Sequence, residues 1–152
     1  MNKIKNKLIF GTANLGVRYG INASNISKNS SLKKIFLLLK KEKIFFIDTA
    51  YNYKNAQKYL SKQHIKKFKV ISKIPKFKKE NLNILEEEII NHVEQSLKKL
   101  NISKFYALLV HDTKELNGNK GKKIFKILQL LKKRNMVGKI GYSIYAASEL
   151  DK

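Results

Sequence analysis

The sequence contains no cysteine and no tryptophan, a single proline and only seven glycines. Without cysteine there are no disulfides, no thiolate zinc sites and no thiol nucleophile. Acidic residues are scarce as well: 11 stand against 33 basic ones, for a formal net charge of +22. Arginine is nearly missing, since only Arg18 and Arg134 interrupt an otherwise all-lysine basic set. Long apolar runs are missing too. Stretches such as Ile35 to Leu39 are far too short to span a bilayer. The basic N-terminus, MNKIKNKLIFGTANLG, has no apolar segment of the kind a secretory signal needs. These absences predict a cytoplasmic protein with no membrane partner.

The lysine excess invites a nucleic-acid reading, because ammonium groups neutralise phosphates. Two features weigh against it. Base-edge recognition favours the bidentate guanidinium, which is almost lacking here. The lysines are also spread along the whole chain rather than gathered in one arm. The sequence therefore predicts a solvated lysine surface that draws in anionic small molecules, not a dedicated nucleic-acid face.

What is present is enough for a core: 43% of the 152 residues are hydrophobic, which suits one domain over residues 1–152. Short apolar runs alternate with amphipathic stretches. LIFGT at 8–12, Ile44 to Ile47, FKVIS at 68–72, FYALLV at 105–110 and GKIGYS at 138–143 read as strands. Between them lie helical patterns. Leu32, Ile35, Phe36 and Leu39 share one face behind a cap at Ser30 or Ser31. A short helix spans 53–62, and Leu85, Ile89, Val93 and Leu97 recur every fourth residue, with Glu86 to Glu88 placed in the first turn. Ile124, Ile127, Leu128 and Leu131 mark a helix over 121–134. The strands are apolar runs rather than strict alternations, the pattern of parallel strands covered on both faces. The fold class is thus α/β, either a doubly wound sheet or a (β/α)8 barrel. Gly11, Gly16 and Gly20 are wrongly spaced for a phosphate-binding loop.

In both folds, residues just beyond the C-terminal ends of the strands share one rim. The second strand ends at Asp48, the third at Lys73 and the fourth at His111, with Tyr53 in the loop after the second. Each has a plain structural explanation. Asp48 suits a helix cap, Lys73 is one lysine of many, His111 stands beside Asp112, and Tyr53 suits core packing. Four such groups converging on one rim point instead to chemistry. A phenol has a pKa of about 10, too high for easy proton donation near neutrality. A nearby ammonium stabilises the phenolate, and that ammonium needs a carboxylate partner where water is excluded. An imidazole can orient a substrate oxygen. Tyr53 is then a general acid, Lys73 its tuner, Asp48 the anchor of Lys73 and His111 the orienting group. Proton delivery to a carbonyl oxygen implies carbonyl reduction, and the hydride must come from a nicotinamide cofactor. His64 falls in a lysine-rich loop and His92 on the polar side of its helix; neither has ligand-type neighbours, so no metal site is expected.

These residues resemble the aldo-keto reductases, (β/α)8-barrel oxidoreductases that use NADPH or sometimes NADH. FGTANLG at 10–16 resembles their first strand, and FIDTAYNY at 46–53 their Asp with a Tyr five residues on. SKIP at 72–75 and LLVHD at 108–112 resemble the strands of their catalytic Lys and His, and GKIGYSIYAASEL at 138–150 resembles their fifth strand. The resemblance implies the tetrad Asp48, Tyr53, Lys73 and His111, with Gly11, Thr12, Asp48 and Ser143 at the cofactor. It also implies NADP(H), with NAD(H) as the alternative, and a small aldehyde or ketone as substrate. The chain departs from the family's pattern at Lys54 and Gln57, where Gly and Glu are usual, and at Ile144, where Asn is common. Only five of eight βα units are legible. The expectation is a barrel truncated after the fifth strand, closed by a complementing chain or by self-association. The competing expectations are a catalytically inactive remnant or a basic nucleic-acid-binding module.

Overall fold

A computed structural model describes residues 7–15, 29–53, 55–77 and 82–150. Five strands, β1 (Phe10–Gly11), β2 (Phe46–Asp48), β3 (Lys69–Ile74), β4 (Phe105–Val110) and β5 (Val137–Tyr142), form one sheet. All four pairings are parallel, and the strand order is the chain order, β1-β2-β3-β4-β5. That order decides between the two folds open from sequence. A doubly wound sheet reverses direction at a switch point, whereas a barrel adds each strand to the last. The architecture is an open, barrel-type βα sheet, with β1 and β5 as its edges among the described residues.

The helices are α1 (Asn29–Lys41), α2 (Ala56–Leu60), α3 (Leu82–Leu100) and α4 (Gly118–Lys133). Leu85, Ile89, Val93 and Leu97 of α3 are all buried, as are Ile124, Ile127, Leu128 and Leu131 of α4. They join Leu32 and Phe36 of α1 and Ile47, Val70, Leu108 and Val110 of the strands in a single core cluster. Each such fully buried side chain contributes about 1.5–3 kcal/mol relative to exposure. Within β2, Ile47 is fully buried while Phe46 and Asp48 on either side are half-buried. Alternation of this kind means that one sheet face carries the core and the other a more polar set. The coverage on both faces expected from the apolar runs is not what β2 shows. Phe46 instead meets Tyr106 edge-on at 5.2 Å, with the Lys69 and Lys139 ammonium groups over the rings.

Other boundaries shift. β1 is two residues rather than five, and β3 continues through Lys73 to Ile74 instead of stopping at Ser72. α1 starts at Asn29, so Ser30 and Ser31 lie inside its first turn rather than capping it. α3 starts at Leu82, which moves Glu86 to Glu88 beyond the first turn. The short helix is confined to Ala56–Leu60 and followed by two 3-10 turns, Ser61–Gln63 and Ile65–Lys67. The readings of Gly16, Gly20 and Lys54 lie outside the described residues.

A third 3-10 turn, Thr113–Leu116, follows β4; the Asp112 carboxylate accepts from the Lys114 N–H and starts it. α4 packs so closely on this turn that a Cβ on Gly121 would lie 1.8 Å from the Leu116 carbonyl oxygen. Only glycine fits there.

Candidate active site

The chain leaves β2 at Asp48 and follows the edge of β3 for three more residues. The Thr49 N–H donates to the Ile71 carbonyl and the Tyr51 N–H to that of Lys73. It then turns, with the Tyr53 N–H on the Ala50 carbonyl and the Ala56 N–H on that of Tyr53. Ala50 and Ala56 are completely buried, so small side chains let this turn sit down on the core. The result separates two tyrosines. Tyr51 leans on His92 of α3, with ring centroids 4.3 Å apart, while Tyr53 packs against the core on the side of Lys73 and His111.

Lys73 projects from β3 with its side chain only 7% exposed. A buried ammonium must find acceptors. Lys73 Nζ donates to Asp48 Oδ1 at 2.6 Å and to the Thr49 carbonyl oxygen at 3.2 Å. It also lies 5.3 Å from the centroid of the Tyr53 ring. The His111 ring meets Tyr53 edge to face, with centroids 6.0 Å apart. Burial holds the His111 imidazole below its ordinary pKa, and the Lys73 charge lowers it further; Asp48 and Asp112 pull the other way. The ring is therefore neutral at pH 7 and has one N–H to give. Carboxylate, ammonium, phenol and imidazole thus form one contiguous group at the C-terminal ends of β2, β3 and β4.

The remaining sequence-predicted positions fall around this group. Gly11 is exposed at the end of β1, and a Cβ placed on it would meet nothing within 4 Å. Thr12 is fully buried; its N–H and hydroxyl both donate to the Asp48 carbonyl oxygen, at 3.0 and 2.9 Å. Ser143 is half-buried just past β5 and donates its N–H to the Val110 carbonyl, which sets it beside His111. Gln57 is 4% exposed and donates to Ser96 Oγ on α3 at 3.1 Å, so it ties α2 to α3. Among the described residues, no group of three or more His, Asp or Glu is placed to hold a metal ion. No helix of the described residues is long and apolar enough to cross a membrane.

Sequence reasoning missed the braces behind the group. His92, expected on the polar side of its helix, is half-buried between Tyr51 and Phe77, and its Nδ1 lies 2.7 Å from the Glu88 carbonyl oxygen. Glu115, four residues past His111, is buried, takes the Lys120 ammonium at 2.7 Å and the Phe77 N–H at 3.4 Å. Lys120 in turn donates to the Phe77 carbonyl oxygen. No spacing rule pairs these residues in advance.

The sequence profile described as the aldo/keto reductase family matches residues 7–152. The chain belongs to that family. No curated protein matches it. Solved aldo-keto reductases share its fold. A Pseudomonas aeruginosa protein described as an aldo-keto reductase superposes with a TM-score of 0.69 and 23% identity, over 89% of this chain and 54% of that one. A thermostable aldo-keto reductase in complex with the inhibitor epalrestat gives 0.67 and 16%, over 94% and 51%. A Klebsiella pneumoniae aldo-keto reductase in complex with NADPH gives 0.65 and 16%, over 94% and 47%. The chain therefore spans about half the length of these aldo-keto reductases.

Proposed function

We propose that this chain carries the catalytic group of an NADPH-dependent reductase that converts an aldehyde or ketone to an alcohol in the cytoplasm. One observation carries the reading: the Lys73 ammonium is held at 2.6 Å by Asp48 and lies over the Tyr53 ring, 5.3 Å from its centroid. Negative charge develops on the Tyr53 oxygen as its proton leaves, and a fixed ammonium stabilises that charge without reorganising. Asp48 keeps Lys73 charged and in place. His111, neutral at pH 7, donates its N–H to the substrate oxygen and orients the carbonyl. Tyr53 then delivers its proton to that oxygen and is later reprotonated from solvent.

When bound, a reduced nicotinamide would supply the hydride for the carbonyl carbon. The donor set suits such a group. The open space over Gly11 admits a flat ring, the outward part of the half-buried Asp48 carboxylate accepts hydrogen bonds, and the Ser143 hydroxyl offers a partner for an amide. Thr12 contributes by fixing the Asp48 backbone rather than by contact.

The test measures NADPH consumption with a panel of aldehydes and NADPH binding by fluorescence for the protein and its Tyr53→Phe form. The expected result is a loss of about 10²–10⁴-fold in kcat with cofactor affinity kept, as for removal of a general acid. Failure of the unmodified protein to bind NADPH, or turnover untouched by Tyr53→Phe, overturns the reading.

A further inference from the structure

The opposite end of the sheet has a character of its own. Three clefts share walls from the N-terminal ends of β3 and β4 round the 3-10 turns to α1. The largest, about 770 Å³, lies between the start of β3 and the α3–β4 turn and is edged by Lys66, Lys69, Lys98 and Lys104 over Phe68 and Tyr106. A second, about 350 Å³, shares Lys66 and Asn101 with it and reaches Lys40 and His64. A third, about 340 Å³, shares Lys40 and His64 with the second and extends to Lys33 and Lys62. Among the described residues no carboxylate lines any of the three. The lysines on these walls are all exposed. Asp48, Asp112, Glu115 and Glu149 are used elsewhere, around the active-site rim.

We propose that this continuous groove binds single-stranded nucleic acid through its phosphodiester backbone, without reading base order. Folding gathers lysines that are dispersed along the sequence, from α1, the 3-10 turns, β3 and the end of α3. Crowded ammonium groups on walls whose described residues include no carboxylate repel one another, and a line of phosphates relieves that repulsion. Among the described residues the groove carries lysine and no arginine, which provides point charges for phosphate but no fork for base edges. At the wide end Phe68 is buried and the Tyr106 ring already carries the Lys69 and Lys139 ammonium groups, so the groove tracks the backbone of a flexible strand rather than its bases. The reductase reading plays no part in this inference.

The test uses fluorescence anisotropy with a labelled oligothymidylate and a mixed-sequence strand of equal length. Both strands are expected to bind alike at low salt, with Kd rising steeply as salt increases. Replacing Lys40, Lys62, Lys66 and Lys104 by Gln should weaken binding at least about tenfold and lower the salt slope by about three. Replacing Lys122, Lys126, Lys132 and Lys133 of α4 by Gln removes the same charge and should change Kd less than about threefold. Should the groove variant fail to fold, lysine acetylation of the unmodified protein with and without oligothymidylate, read by mass spectrometry, should show protection at the groove lysines and not on α4. Equal weakening by both variants, uniform protection, or no binding at low salt overturns the proposal.

Discussion

Glu115 and Phe77, 38 residues apart, are joined through the Glu115 carboxylate and the Phe77 N–H, and Lys120 closes the contact by bonding to both residues. Phe77 lies four residues beyond Lys73 and Glu115 four beyond His111, so the pair locks the two loops that leave the active-site rim. Glu115→Ala strands the buried Phe77 N–H and leaves the partly exposed Lys120 ammonium to the Phe77 carbonyl oxygen and water. It should cost about 1–3 kcal/mol in urea unfolding, and amide exchange at Phe77 should accelerate. Unchanged exchange there would show that the loops hold without the brace.

Removing the partners of the Asp48–Lys73 pair should have unequal effects. Asp48→Asn leaves a nearly buried ammonium with neutral acceptors alone, the Thr49 carbonyl oxygen and the new side-chain amide oxygen, and no counter-charge. The expected cost is about 2 kcal/mol, below the usual range for buried pairs because the Asp48 side chain is 33% exposed. Lys73→Met should cost less, since water reaches Asp48 and methionine fills the space. The urea midpoints of the two variants decide it, and the reverse order would refute this account of the pair.

His111 should titrate below the ordinary histidine value of 6.5, because burial and Lys73 disfavour its charged form. The unfolded chain then binds a proton that the native chain refuses. This contribution to stability is complete above pH 6.5 and is lost as pH falls from there through the native midpoint. Proton NMR of the imidazole reads the midpoint directly. Lys73→Met should raise it, because the Asp48 charge is then unopposed.

Thr49 is completely buried, and among the described residues its hydroxyl has no hydrogen-bond partner. An orphaned buried hydroxyl carries a desolvation penalty that an isosteric methyl does not. Thr49→Val should be neutral or stabilising by about 1 kcal/mol, seen as a raised thermal midpoint. A clear loss of stability would mean that the hydroxyl is satisfied in solution.

Much of this fold was legible because it is periodic. The four-residue rhythm from Leu85 to Leu97 marks its helix, and the run Phe105–Val110 marks β4 to the residue. The site was legible because strand ends in βα folds share a rim, and Asp48, Lys73 and His111 each stand near one. Contacts between distant residues were not. Lys73 reads as a break in an apolar strand, yet β3 runs through it because Asp48 and the Thr49 carbonyl satisfy the ammonium. His92 reads as solvent-facing until Tyr51 and Phe77 arrive from two loops to enclose it. The lysines of the groove look scattered for the same reason.

The strand order has a consequence for where this protein tolerates change. Asp48, Lys73 and His111 issue from β2, β3 and β4, and each of these has a parallel neighbour on both flanks. β1 and β5 act as bumpers: whatever docks along the outer ladder groups of either meets a strand that bears none of the proton-handling side chains. Joining, parting or exchanging material at those margins leaves the inner backbone register, and with it the spacing of the reactive atoms, undisturbed.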